Sequence, residues 1–572
     1  MSSRPVDFVL MLHSHLPYVL NHGRWPHGSD WLCEAALGAY LPLVGKLRQL
    51  ERGDVQAPVT LGVTPVLANQ LAHPAFAAEL DRYIAQRLAA CAETASAMAG
   101  TPEAPLLPLV AFWERRLGQL RTLRDELGGD LIGEFRRLQG AGRLELTSSA
   151  ATHAILPLLA RDESIRLQLL VGRGEHRRLF GSDPAGCWLP ECAYRPRGMW
   201  SPLPGAPNAG VRRGIEEHLA EAGYRYFFVD AHMANAGAPL GIYGELFAGE
   251  SAHLPDPAAP DAAGRQSPHR AYRVRGAGTP VDVAALVRDP RATLAVWSRG
   301  HGYPGDGAYL EFHKLRWPGG LRLWGVTSRA SGLGDKAPYD PVAARLTARV
   351  HARDFAATLS RIADGCGVGD RVIAAPFDTE LFGHWWFEGP DFLGDLYAEL
   401  PHHPGVRAAT ASAHLDRHGA PAATRLARGS WGRNGDLEMW LNDRVQWIWP
   451  LIWELEEEFW ALAPTALERD GTHELLAQAA RSLLLLQSSD WPFIVSTGEV
   501  ADYATRRVHT HAGETRELLG ALRRVLGGSE ARVGRALARA LHLRDAVFPG
   551  IVPAIAAALV PARRDHAYAT IG

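Results

Sequence analysis

Short apolar runs that stop abruptly at polar residues recur through the first two thirds of the chain. Asp7–Leu12 (DFVLML), Ala57–Thr64 (APVTLGVT), Arg143–His153 (RLELTSSAATH), Tyr224–Asp230 (YRYFFVD), Val281–Val287 and Arg371–Pro376 (RVIAAP) have the length and composition of strands. Thr293–Trp297 reads as a further strand. Helical periodicity marks the stretches near Arg161–Phe180 and Val342–Ala363. From His73 to Leu138 the chain is polar, alanine-rich and helical in period, apart from the proline-rich break TPEAPLLP, and predicts a helical insertion. His232–Arg270 is long and loaded with Gly, Pro and Ala; a loop of this length inside a compact domain is functional or disordered. Beyond Arg417, RHGAPAATRLARGS reads as a linker to a mostly helical C-terminal region.

The bulk properties narrow the class of ligand. With 572 residues, 47% of them apolar and 21% charged, the chain can build two to four domains with sizeable cores. A net charge of -2 gives no global field to hold nucleic acid or an anionic membrane, so the ligand is expected to be neutral or recognised locally. The first residues, MSSRPVDFVLMLHSH, lack the long apolar segment of a signal peptide. Val547–Pro561 is apolar but interrupted by Pro549, Pro553 and Pro561, which argues against a membrane span. Five scattered cysteines, with no two-residue gap between Cys187 and Cys192, read as reduced thiols, and a cytoplasmic location is expected.

The candidate chemistry sits where strands end. Behind RVIAAP, the stretch APFDTELFGHWWFEG carries Asp378, Glu380, Trp385 and Trp386. Carboxylates beside flat aromatic rings suit carbohydrate, the rings for stacking and the acids for work at a glycosidic carbon; a salt-bridged loop over two core tryptophans is the alternative. His13 and His15 in HSHLPY are two apart on an extended chain and so face one side. No carboxylate stands near them at metal-ligand spacing, which favours contacts to sugar hydroxyls and predicts no metal. Trp25 and Trp31 follow in a loop. Glu191 in GCWLPECAY stands alone among apolar residues, a position that costs several kcal/mol if buried without a partner (about 2–7 for a polar group). His153 closes the third strand, while Arg288 and Trp297 flank VRDPRATLAVWSRGHGYPGD. Trp447, Trp453 and Trp460 recur near helical spacing and read as core; Trp431 and Trp440, in the glycine-bearing GSWGRNGDLEMWL, stay open to sugar.

Five separated stretches, HSHLPY, RLELTSSAATH, CWLPECAY, APFDTELFGHWW and SSDWPF, resemble in order the five sequence regions of glycoside hydrolase family 57, and within it the 1,4-α-glucan branching enzymes. The resemblance implies an α/β fold, an incomplete (β/α)7 barrel (1–72 and 139–416) with a helical insertion (73–138) and a mostly α-helical C-terminal domain (417–572) that contributes to the substrate cleft. It implies Glu191 as nucleophile and Asp378 as general acid/base of a retaining reaction. Substrate contacts are implied for His13, His15, Trp25, Trp31, His153, Tyr243, Arg288, Trp297, Trp431, Trp440 and Asp490, with Tyr243 in GIYGE on a loop that favours transfer over hydrolysis. The expected partner is an α-1,4-glucan such as amylose, amylopectin or glycogen, bound by a monomer without a cofactor. PECAY departs from the PEMAY form by one conservative exchange. An α-amylase or 4-α-glucanotransferase of the same fold, and a non-catalytic glucan-binding protein, are the rival readings.

Overall fold

The computed structural model describes residues 4–240, 266–276, 280–297, 302–530 and 532–560. Tyr243, expected on the long loop, lies outside the described residues. The strands are β1 (Val6–Ser14), β2 (Val59–Val63), β3 (Leu144–Ser149), β4 (Gly186–Trp188), β5 (Gly198–Trp200), β6 (Gly210–Arg212), β7 (Tyr226–Val229), β8 (Ala271–Arg275), β9 (Pro280–Val287), β10 (Val372–Asp378), β11 (Val406–Ala408) and β12 (Ala422–Thr424). β5 and β6 form a small hairpin of their own.

The main sheet is open and curled, and follows the path β10-β1-β2-β3-β4-β7-β9-β8-β12, with β11 pairing beside the start of β1. Its first seven members run parallel, so all their C-terminal ends lie on one rim. β8 is antiparallel to β9, and just before it His269 O accepts the N–H groups of Arg371 and Val372 at the start of β10. The two outer parallel strands therefore stay apart at one end. At the other end they touch: Asp289 N–H donates to Ala374 O at 2.8 Å, beside a single parallel bridge from Arg288 to Ala374. β1 and β2 are buried along their whole length, as strands covered on both faces must be.

Helices cover the outside of the sheet. Between β2 and β3 stand Pro74–Met98, Leu107–Glu126 and Leu131–Gly140, separated by the proline-rich break. After β12 the chain is almost entirely helical, from Ile448–Glu468 to Ile551–Leu559. Trp453 and Trp460 are buried there, while Trp447 lies partly buried against His509. No described helix is long and apolar enough to cross a membrane.

Two local expectations fail for identifiable reasons. Thr293–Trp297 belongs to a helix, Pro290–Trp297, because Asp289 accepts from the Ala292 N–H at 2.7 Å and Pro290 pre-sets the first turn. The segment after Arg417 is not merely a linker, since it contains β12, which pairs with β8 through Ala422–Tyr272.

Candidate active site

The rim formed by the seven parallel strands gathers the polar residues. His13 lies within β1 and His15 just beyond it; Thr64 follows β2, His153 follows β3, Glu191 follows β4, Asp230 follows β7, Arg288 follows β9 and Asp378 ends β10. Strand register alone puts His13 directly beside Asp378. This is the end of a parallel α/β sheet where loops can assemble chemistry on a rigid floor.

His13, His15 and His153 form a stack, with ring centroids 4.0 Å apart for His15–His153 and 4.8 Å for His13–His153. Nε2 of His13 and Nε2 of His153 are 2.9 Å apart, so one ring donates and the other accepts. Both rings are held well below the usual histidine range, first by burial and then by the neighbouring imidazoles, which keeps them neutral and fit for that pairing. His153 Nδ1 meets Ser489 Oγ at 2.7 Å. His15 spans Thr64 Oγ1 (3.0 Å) and Asp490 Oδ2 (2.9 Å), and Ser488 Oγ donates to the same carboxylate oxygen at 2.5 Å. The SSDWPF motif thus enters the rim from the helical region and fixes two of the three histidines.

Glu191 occupies a turn that L-residues seldom adopt. It has φ 60° and ψ 24°, the next residue Cys192 has φ 52°, and His153 has φ 58°. Non-glycine residues in this region carry about 1–3 kcal/mol of strain each, a cost that persists where the surroundings dictate it. Here they do. Trp431 N–H donates to Glu191 O at 2.9 Å, and its indole Nε1–H donates to Glu191 Oε2 at 2.5 Å. Tyr194 and Gly429 exchange both backbone bonds, so the 429–431 segment lies along the 191–194 turn as a short ladder. His153 Nδ1 stands 4.0 Å from the other carboxylate oxygen.

Aromatic and cationic groups enclose this carboxylate. Trp188 lies between His13 (4.9 Å, stacked) and Trp431 (4.9 Å, edge-on). The Arg288 guanidinium sits 5.1 Å over the Trp431 ring and 4.0 Å from the buried Asp230 carboxylate. Trp297 is tilted against Trp431 at 5.7 Å and stacked on Phe377, the neighbour of Asp378.

Asp378 keeps part of its surface open to the cleft, yet its carboxyl is pushed well above the usual range. Lost hydration is the main cause, followed by the negative charges of Glu191 and Glu380, with Arg288 opposing them. The charge of Glu191 thus acts directly on Asp378 although 187 positions separate them in sequence. Glu380 is buried and pushed up to about 7 by burial, against the Tyr40 hydroxyl, which donates to it at 2.5 Å, and the His15 N–H at 3.2 Å. The site therefore offers a carboxyl biased toward holding its proton and a second carboxyl held by an indole N–H.

Some expected residues lie elsewhere. Trp440 is fully buried, as Trp431 is, with Trp449 Nε1–H donating to its carbonyl. Trp386 is likewise interior, against Phe382 and Phe392, and only its neighbour Trp385 is exposed, at 46%. Trp31 packs edge-on to His27, Trp25 is 77% exposed on the preceding loop, and among the described residues neither touches the two acids. Conversely, Tyr40, Thr64, Trp188 and Ser489 join the site unforeseen. Trp188 and Ser489 stand inside motifs already singled out and Thr64 closes the run APVTLGVT, whereas nothing around Tyr40 marks it.

Residues 9–426 match the family model described as glycosyl hydrolase family 57. The chain belongs to this family. Residues 452–555 match a second model, the C-terminal region of 1,4-alpha-glucan branching enzymes. A 1,4-alpha-glucan branching enzyme of Thermococcus kodakarensis is 37% identical, over 95% of this chain and 77% of the relative. A probable 1,4-alpha-glucan branching enzyme of Mycobacterium tuberculosis is 33% identical over 96% of this chain and 98% of its own length. Among solved structures, the Thermococcus branching enzyme superposes with a TM-score of 0.87 at 36% identity, covering 96% of each chain. The alpha-amylase AmyC of Thermotoga maritima superposes at 0.76 with 26% identity, covering 96% of this chain and 99% of that one.

Proposed function

We propose that this family 57 protein is a 1,4-α-glucan branching enzyme in which Glu191 is the nucleophile and Asp378 the general acid and base. The observation that carries the roles is the electrostatic pairing across the rim: the charge of Glu191 raises Asp378, while Glu191 itself accepts the Trp431 indole N–H. A retaining reaction needs this asymmetry, one carboxyl protonated and the other ionised, on either side of the same anomeric carbon. Asp378 gives its proton to the oxygen of the departing glucan as Glu191 bonds to the anomeric carbon. Asp378, now ionised, takes the proton of an incoming 6-hydroxyl, which displaces Glu191 and leaves an α-1,6 branch. His15 and His153, fixed by Asp490 and Ser489, and His13, paired with His153, orient sugar hydroxyls at this centre, and Trp297 and Arg288 line the same wall. For transfer to outrun hydrolysis the acceptor chain has to be held against water at about 55 M, which positioning can supply.

An α-amylase is the second reading, favoured by the likeness to AmyC, a protein of similar overall shape. The match of residues 452–555 to the branching-enzyme C-terminal model supports transfer instead. Amylose incubated with the protein should gain α-1,6 linkages, seen as short chains after debranching, faster than it gains reducing ends. Release of reducing ends without branches would assign hydrolysis. Glu191→Gln should lower kcat by about 10³-fold or more, the scale of losing a covalent catalyst; full activity in that variant would refute the assigned roles.

A further inference from the structure

A cavity of about 460 Å³ lies on the outer side of the fold, between the helices Leu41–Arg52, Leu107–Glu126 and Gly389–Glu399. None of its lining residues belongs to the site on the rim. The helix Leu107–Glu126 turns one face toward it, bearing Phe112, Arg115, Arg116, Gln119, Leu120 and Leu123 at three- and four-residue spacing. A helix face turned toward neighbouring helices is ordinarily apolar, although Arg115 and Gln119 on this one stay exposed. Here its middle is cationic.

Among the described residues, only two of the four cations in its wall are ion-paired with acids. Lys46 and Arg345 share Asp391, and Arg345 also pairs with Asp395. Arg115 and Arg116 make no hydrogen bond or ion pair among the described residues; Arg116 lies 5.9 Å over the Phe387 ring, half-buried. Glu388 in the same wall takes the Tyr339 hydroxyl (2.7 Å) and the Leu310 N–H (3.1 Å) on one oxygen, while its buried second oxygen has no partner. Burial pushes this carboxyl up to about 7, so near neutrality it carries only part of its charge and is in part a donor.

We propose that this cavity binds a small phosphorylated sugar, with its phosphate on Arg115 and Arg116. Guanidinium groups suit the bidentate hydrogen bonding of a phosphate, and both of these line the one cavity. The space far exceeds that ion, and the remaining wall carries Gln49, Gln119 and Glu388, groups that both donate to and accept from hydroxyls. A flat base is a poorer fit, because Phe112 meets Phe387 and Tyr339 edge-on at 6.0 and 6.1 Å and leaves no slot between parallel faces.

Calorimetric titration of the full chain with glucose 6-phosphate, inorganic phosphate, glucose and adenosine monophosphate tests this. Glucose 6-phosphate should bind once per chain, at least tenfold tighter than the other three. Arg115→Gln, at an exposed position, should weaken it about five- to tenfold, and the double change with Arg116→Gln at least thirtyfold, with unchanged branching activity and melting temperature. Glu191→Gln should leave binding intact. Absence of saturable binding, equal affinity for phosphate alone, tighter binding of the nucleotide, indifference to the arginine changes, or loss in Glu191→Gln would each overturn the proposal.

Discussion

At the scale of single residues, the rim is a problem in sharing protons among buried groups. Asp378 and Glu380 lie two apart at the end of one strand, and each holds its proton above the usual carboxylate range. The charges of Glu191 and Glu380 both raise Asp378, so removing either must lower it. Glu380→Gln keeps an acceptor for the Tyr40 hydroxyl and deletes a negative charge beside Asp378. A like charge raises an acid, so its loss lowers Asp378, and the alkaline fall of kcat/KM should move to lower pH. A pH–rate profile on amylose checks this, and an unmoved alkaline limb would free Asp378 from the influence of Glu380. His13 and His153 carry the opposite sign, since burial pushes both down and keeps them neutral.

At the scale of elements, the apolar runs of β1, β2, β7, β9 and β10 are readable in sequence because buried parallel strands need continuous apolar residues, and the polar residue that ends each one announces the rim; β3, LELTSS, is read from its alternation instead. Glu191 was legible for the same reason, as the lone charge in CWLPECAY. What hid was the contact made by distant segments. No local pattern says that Trp431 rather than Trp440 will reach Glu191, because that depends on how tightly the 429–436 loop can approach the segment after β7. Gly435 decides it. Its φ is +74°, and a Cβ there would stand 2.7 Å from His232 Nε2 and 2.8 Å from Pro239, while its carbonyl accepts from that same ring nitrogen at 2.7 Å. Gly435→Ala should therefore shift the loop, weaken the Trp431–Glu191 bond, lower kcat by at least tenfold and cost about 1–2 kcal/mol of stability through the left-handed backbone. Activity assays and urea unfolding read the two effects separately. The strand predicted over Thr293–Trp297 failed because five apolar-rich residues fit either period, and the Asp289–Pro290 start signal outweighs them.

Across the whole molecule, the sheet and the helical region meet at several buried polar joints. Asp545, fully buried, accepts from His22 at 2.7 Å and pairs with Arg544, tying the first rim loop to the end of the chain. Burial alone would raise this carboxyl, but the His22 hydrogen bond and the Arg544 charge hold it below the ordinary value. Its stabilising contribution is therefore complete above about 4, the unfolded value, and fades as the pH falls through that range. Asp545→Asn should lose about 3 kcal/mol at pH 7, measured by chemical unfolding, with the gap to the parent protein closing below pH 4. The short ladder between the 191–194 turn and the 429–431 segment has a further consequence. A chain cut after Leu426 would retain every strand of the sheet, yet Glu191 would face solvent where the indole stood and His15 would lose its carboxylate. Topology and chemistry end at different residues, so swapping the helical half between relatives tests the catalytic centre itself, and only matched halves should turn over glucan.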